Sequence, residues 1–159
     1  MKRLLLLRHA HAEEAQGRVD IDRPLSARGR TQALAAAQSI ALAELACEAV
    51  LSSTALRARE TALIVAAQLD LGDDLQFEPT LYLGNVEALL GPPRRCPDSI
   101  STLLIVGHNP GLSELAQSFN GNAARIELQT AGLCAITLAA RMRWRELSPR
   151  QATGVTLLR

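Results

Sequence analysis

Four side chains able to handle an anion stand in three short stretches of this 159-residue chain: Arg8-His9, Arg57, and His108 within Gly107-His108-Asn109-Pro110-Gly111. Guanidinium groups grip phosphate oxygens in pairs and stay charged at any working pH. A neutral imidazole among them can attack phosphorus and hold the phosphoryl group as a labile phosphoramidate. A second imidazole, when protonated, can stabilise charge on the equatorial oxygens during transfer. No acidic residue interrupts these stretches. Taken singly, each residue would be an ordinary hydrogen-bonded histidine or solvated arginine; the reading rests on their coincidence.

Such a coincidence needs elements to create it. The runs RLLLL (3–7), EAVLS (48–52) and TLLIV (102–106) lead into the three stretches, and GLCAITL (132–138) is a fourth run of the same kind. Continuous apolar runs of this length read as strands buried on both faces of a parallel sheet. Ser26 is expected to cap a helix running to about Leu45, with Leu34, Ala37, Ala41 and Leu45 inward. Gly29 in its first turns costs about 1 kcal/mol against alanine. Ser53 or Thr54 is expected to cap a second helix, with Ala58, Ala62, Val65 and Leu69 facing the core. Free amides at its start would add anion donors beside Arg57. A third helix should open after Asn109-Pro110-Gly111, and GPPRRCPDS (91–99) reads as a Pro-rich loop. Strands alternating with helices predict one α/β domain over 1–159, a three-layer sandwich with a mainly parallel central sheet flanked by helices. Ligands of such sheets sit beyond the carboxyl ends of the strands, where the four side chains stand.

Composition narrows the partners. Seventeen basic against 16 acidic residues leave a net charge of +1. That balance argues against general capture of nucleic acid. Trp144, Tyr82, Phe77 and Phe119 are the whole set of Trp, Tyr and Phe, too few for a base-stacking platform. The opening MKRLLLLRHAHA imitates an export signal, but only Leu4 to Leu7 are unbroken apolar residues, against the roughly 7–15 such a signal needs. No window approaches the roughly 20 apolar residues of a membrane span. Cys47, Cys96 and Cys134 are widely spaced, odd in number and free of any C-x-x-C pair. They read as reduced, mostly buried thiols of a cytoplasmic protein. His9-x-His11 lacks the further ligands a metal centre needs, so no metal is expected. Arg141, Arg143 and Arg145, alternating with Met142 and Trp144, read as the outward face of an edge strand, and Arg94-Arg95 as solvated.

The segments LLLLRHAHA, DRPLSARGRTQA, VLSSTALRARETA and LLIVGHNPGLSELA together resemble the histidine phosphatase superfamily, also called phosphoglycerate-mutase-like, and most closely its SixA-type phosphohistidine phosphatase branch. The resemblance implies the phosphoglycerate-mutase-like fold. It matches His9 to the nucleophile that becomes phosphorylated, and Arg8, Arg57 and His108 to the rest of the phosphate pocket. Arg23 and Asp20 are implied as substrate contacts, and no cofactor or metal is implied. Two departures stand out. Ala10 replaces the commoner glycine after Arg-His, and no residue clearly matches the glutamate that serves larger members as general acid. Glu87, Asp20 and Glu13 are rivals for that role.

The missing acid bears on substrate. An alkyl phosphate ester leaves poorly without a proton donor, whereas phosphohistidine leaves as imidazole. A short stretch between His9 and Ser26 offers no long lid, so an open site suited to phosphohistidine on a protein is expected. The alternatives are a phosphatase of small phosphate esters that uses Asp20, Glu13 or Glu87 as acid, and a phosphate-binding module without turnover.

Overall fold

A computed structural model describes residues 1–158. Strand β1 (Arg3–Arg8) is followed by helix α1 (Ala27–Leu42), β2 (Ala49–Ser52), α2 (Leu56–Gln68), β3 (Leu75–Phe77) and α3 (Val86–Arg94). Then come β4 (Thr102–Gly107), α4 (Gly111–Asn120), β5 (Leu133–Leu138) and β6 (Ala152–Leu158). They form one six-stranded sheet in the order β3-β2-β4-β1-β5-β6. The β3-β2-β4-β1 half is parallel, while β5 and β6 run antiparallel. The mainly parallel α/β sandwich expected from the sequence is therefore present, with an antiparallel edge.

The LLLL run explains the layering. Successive strand residues point to opposite faces. Leu4 and Leu6 join a core cluster with Leu89, Leu90, Leu112 and Leu115 of α3 and α4. Leu5 and Leu7 join a second cluster with Ala37 and Ile40 of α1 and Ala62 and Val65 of α2. All four leucines are fully buried, each contributing about 1.5–3 kcal/mol over an exposed position. Chain direction across the sheet supplies the remaining logic. From β1 to β3 the chain steps one way, and from β3 to β4 it turns back. Right-handed crossovers then put α1 and α2 on one face and α3 on the other.

Several expectations need correction. Helix α1 ends at Leu42, and its buried face is Ala33, Ala36, Ala37 and Ile40. Leu34 and Ala41 are exposed, and Leu45 is buried beyond the helix. An alanine-rich helix has too little contrast for one leucine to mark its inner face. Helix α2 starts at Leu56, two residues past Thr54, with Ala55 as its cap residue and no side-chain cap. The Pro-rich loop is in part helix. Asn85 caps α3 through its side chain, and Pro92 and Pro93 lie in the last turn, where little helix remains to be broken. Arg94 pairs with Glu87 and Arg95 with Glu78, so neither is merely solvated. The alternation at 141–145 does reflect burial, with Met142 and Trp144 inward, but the segment is a turn leading into a short 3-10 helix rather than a strand. Trp144 gives its backbone N–H to Asp98 and its indole N–H to the Ile100 carbonyl, which holds it inside. Of the three free cysteines only Cys134 is fully buried; Cys47 and Cys96 are half-buried.

Candidate active site

The carboxyl ends of β1, β2 and β4 bring the four sequence candidates together. Arg8 closes β1 and His9 follows it, Ser53 and Arg57 follow β2, and His108 follows β4. The His9 and His108 ring centroids lie 5.1 Å apart. His9 Nδ1 lies 2.8 Å from the Ala10 carbonyl oxygen, which can only accept, so the ring proton sits on Nδ1. That leaves a lone pair on Nε2, to which Arg57 Nε donates at 3.3 Å. Burial, then the nearby cations Arg57, Arg8 and Arg23, push the His9 pKa down to about 4, against the favourable Ala10 contact. At neutral pH the ring is uncharged, with a free lone pair on Nε2.

Two further residues hold this arrangement. Thr61, fully buried on α2, accepts the Ala10 N–H at 3.1 Å and gives its own hydroxyl to the Arg57 carbonyl at 2.7 Å. The peptide that fixes the His9 tautomer is thus tied to the helix that carries Arg57. His11 is no metal partner for His9; its Nδ1 lies 2.6 Å from Ser26 Oγ at the start of α1. Ser26 Oγ accepts from Gly29 N–H at 3.0 Å, and a Cβ at Gly29 would fall 2.0 Å from the His11 carbonyl oxygen. Only glycine permits that approach of helix to loop. Among the described residues no group of three or more His, Cys, Asp or Glu is arranged to hold a metal ion.

His108 is 3% exposed, and its Nε2 lies 2.7 Å from Ser53 Oγ. Burial, then the neighbouring His9 and the Arg57 charge, push its pKa down to about 3. The ring is therefore neutral at neutral pH in the free site. Its Nδ1 and Arg8 Nε are the two buried side-chain nitrogens without a protein partner among the described residues. Arg8 gives Nη1 to the Leu128 carbonyl at 3.1 Å, which also accepts Asn109 Nδ2 at 2.8 Å. Asn109 in turn lines a cavity of about 450 Å³ with Ser113, Glu114, Arg125 and Glu127.

The Arg57 fork already has an occupant. Its Nη1 donates to the Asp20 carbonyl at 2.7 Å and its Nη2 to Asp20 Oδ2 at 3.0 Å. Tyr82 donates its hydroxyl to the same Oδ2 at 2.6 Å, and Arg23 Nη1 donates to Oδ1 at 3.1 Å. These donors, Tyr82 foremost, hold the Asp20 carboxyl well below the usual carboxylate range. Asp20 is consequently ionised and carries no proton to give. The other acid candidates are elsewhere: Glu87 pairs with Arg94, and exposed Glu13 meets Arg23 only through its backbone carbonyl. Arg23 therefore enters as a brace for Asp20. Sequence reasoning missed Tyr82, whose ring stands edge-on to His108 at 5.4 Å between centroids. It also assigned Ser53 and Thr61 no part in the site, although both fall in the S-x-x-L-R-A-x-x-T motif.

Comparison with known proteins identifies the family and the fold. The family model of the histidine phosphatase superfamily (branch 1) matches residues 4–82. An uncharacterized chloroplastic protein of Arabidopsis thaliana is 34% identical over 145 residues, covering 83% of this chain and 65% of that protein. An uncharacterized protein of Mycobacterium tuberculosis is 31% identical over 152 residues, covering 90% of this chain and 92% of its own. A solved structure of a protein assigned as a SixA phosphohistidine phosphatase, from Nakamurella multipartitia, superposes with a TM-score of 0.81 at 27% identity, over 99% of this chain and 95% of that one. A mycobacterial glucosyl-3-phosphoglycerate phosphatase has the same fold at a TM-score of 0.65 and 18% identity, over 86% of this chain and 93% of that one. With a nucleophile-competent His9 at the end of β1, two arginines and a second histidine around it, and these likenesses, the chain belongs to the histidine phosphatase superfamily.

Proposed function

We propose that this chain is a metal-independent phosphatase of the cytoplasm that removes the phosphoryl group from phosphohistidine on a protein. His9 Nε2 attacks phosphorus in line. The bond from phosphorus to the substrate imidazole nitrogen breaks, and its electron pair stays with the imidazole, which departs neutral when its other nitrogen carries the proton. Water then attacks phospho-His9, releasing inorganic phosphate and restoring the lone pair on Nε2. Arg8, Arg57 and His108 hold the phosphoryl oxygens through both steps. Unpaired cysteines fit a reducing compartment, and no helix among the described residues is long and apolar enough to cross a membrane.

One observation carries the choice of substrate: the carboxylate that reaches the cluster, Asp20, is ionised by Tyr82, Arg57 and Arg23. A site without a resident acid favours a leaving group that needs none. The likeness to a protein assigned as a SixA phosphohistidine phosphatase supports the same reading. A small phosphate ester would need Asp20 to acquire a proton. The test is turnover of a phosphohistidine peptide against a sugar phosphate in the presence of EDTA, with intact mass and peptide mapping after a rapid acid-free quench. The expected result is faster turnover of the peptide, a phosphoryl group on His9, and loss of both in His9→Ala. Turnover surviving in His9→Ala overturns the mechanism, and a preference for the sugar phosphate overturns the substrate class.

A further inference from the structure

We propose that Ser53 is the positioning residue for His108: it fixes the proton of the neutral ring on Nδ1 and so makes that nitrogen the donor to the phosphoryl group. The use of the donor rests on the phosphatase reading; the position of the proton does not.

A neutral imidazole has one N–H, and the partner of one nitrogen decides which nitrogen carries it. Ser53 follows β2 directly and is fully buried. Its Oγ meets two groups, the Ala55 N–H at 3.2 Å and His108 Nε2 at 2.7 Å. The amide can only donate, so Oγ accepts from it. Nε2 is then the one acceptor within reach of the serine hydroxyl hydrogen among the described residues. The opposite tautomer would leave the buried hydroxyl hydrogen without an acceptor whether or not an anion is bound, whereas a hydrogen on Nδ1 gains one when a phosphoryl oxygen arrives.

The consequence reaches the far side of the ring. With Nε2 accepting from Ser53, the single ring hydrogen goes to Nδ1, the buried nitrogen with no protein partner. A donor at that position suits an anion's oxygen, whereas a bare lone pair would repel it. Burial, then neighbouring His9 and the Arg57 charge, keep the ring neutral, with Asp20 acting the other way and Arg8 adding the smallest push. Ser53 thus supplies what protonation of the ring would otherwise supply, a hydrogen on the nitrogen that has no protein partner.

¹⁵N spectroscopy of the histidine-labelled full chain at neutral pH reads the proton directly, because protonated and bare ring nitrogens differ in shift. His9→Gln and His11→Gln variants assign the signals. The expected spectrum has His108 protonated at Nδ1 and bare at Nε2. In Ser53→Ala the preference is lost and kcat for phosphohistidine peptide falls about a hundredfold, the scale for losing one preorganised donor. Ser53→Thr, which keeps the hydroxyl, restores the wild-type tautomer. A wild-type ring protonated at Nε2 overturns the proposal, with no variant needed. An unchanged tautomer and kcat in Ser53→Ala also overturn it. The expected spectrum in a protein that turns over no phosphate donor supports the Ser53 assignment and overturns the phosphatase reading.

Discussion

The contact between Asp20 and Arg57 sets substrate against a resident carboxylate. A phosphoryl group that takes the Nη2 hydrogen now given to Asp20 Oδ2 at 3.0 Å must displace that carboxylate. The Arg57 side chain is 5% exposed but that of Asp20 is 48% exposed. Charge-assisted hydrogen bonds contribute about 1.5–3 kcal/mol, and a half-exposed partner is discounted toward the roughly 0.2–1 kcal/mol of solvent-screened pairs. About 1 kcal/mol therefore separates the occupied from the released fork, or about fivefold in affinity. Asp20→Asn keeps an acceptor for Tyr82 and Arg57 and removes the charge, so the backbone carbonyl contact and the fold should persist. Titration calorimetry with tungstate or inorganic phosphate should give a Kd about fivefold lower in the variant. Neither ligand has a leaving group, so the measurement is blind to any role of Asp20 as an acid. An unchanged or higher Kd would refute the idea that Asp20 competes with the anion.

The two buried histidines make stability depend on pH. Their folded pKa values of about 4 and about 3 lie below the ordinary value of about 6.5, so the unfolded chain binds protons that the folded chain refuses. Stability is then fully present above about pH 6.5 and is lost as pH falls toward 4; a urea midpoint that stays flat from pH 7 to 5 would contradict this. Proton NMR of the His9 ring should titrate near pH 4 and not near 6.5. Thr61→Val removes the acceptor of the Ala10 N–H with little change of shape and should cost about 1–3 kcal/mol in urea unfolding, together with slower phosphoenzyme formation. A variant of wild-type stability would mean that Thr61 does not hold that peptide.

What the sequence made legible was what strand ends and short-range patterns control. His9, Arg57 and His108 could be found because a parallel sheet places its ligands beyond the carboxyl ends of apolar runs, and those runs stand out as RLLLL, EAVLS and TLLIV. Tyr82 and Asp20 are 62 positions apart, with two helices and two strands between them, a contact no local pattern announces. The same limit hid the antiparallel pairing of β5, since GLCAITL would read alike in either direction. Tautomers were beyond reach as well: they depend on the Ala10 carbonyl and the Ser53 hydroxyl lying on one particular side of each ring. Helix faces failed where composition lacked contrast, as in alanine-rich α1, and succeeded at Ala58, Ala62 and Val65, which are all buried.

The location of β1 in the sheet has a consequence for biosynthesis. Its partners are β4 at residues 102–107 and β5 at residues 133–138, so the strand that presents His9 pairs only with chain made long after it. During translation RLLLLR leaves the ribosome with four leucines and two unpaired edges; its first edge waits for residues 102–107 and its second for residues 133–138. Pairings of such sequence separation form slowly, and apolar strands awaiting them are what chaperones shield. A truncated chain that ends before β4 would carry Arg8, His9 and Arg57 in its sequence and still have no site, because the two strands that seat β1 would be missing.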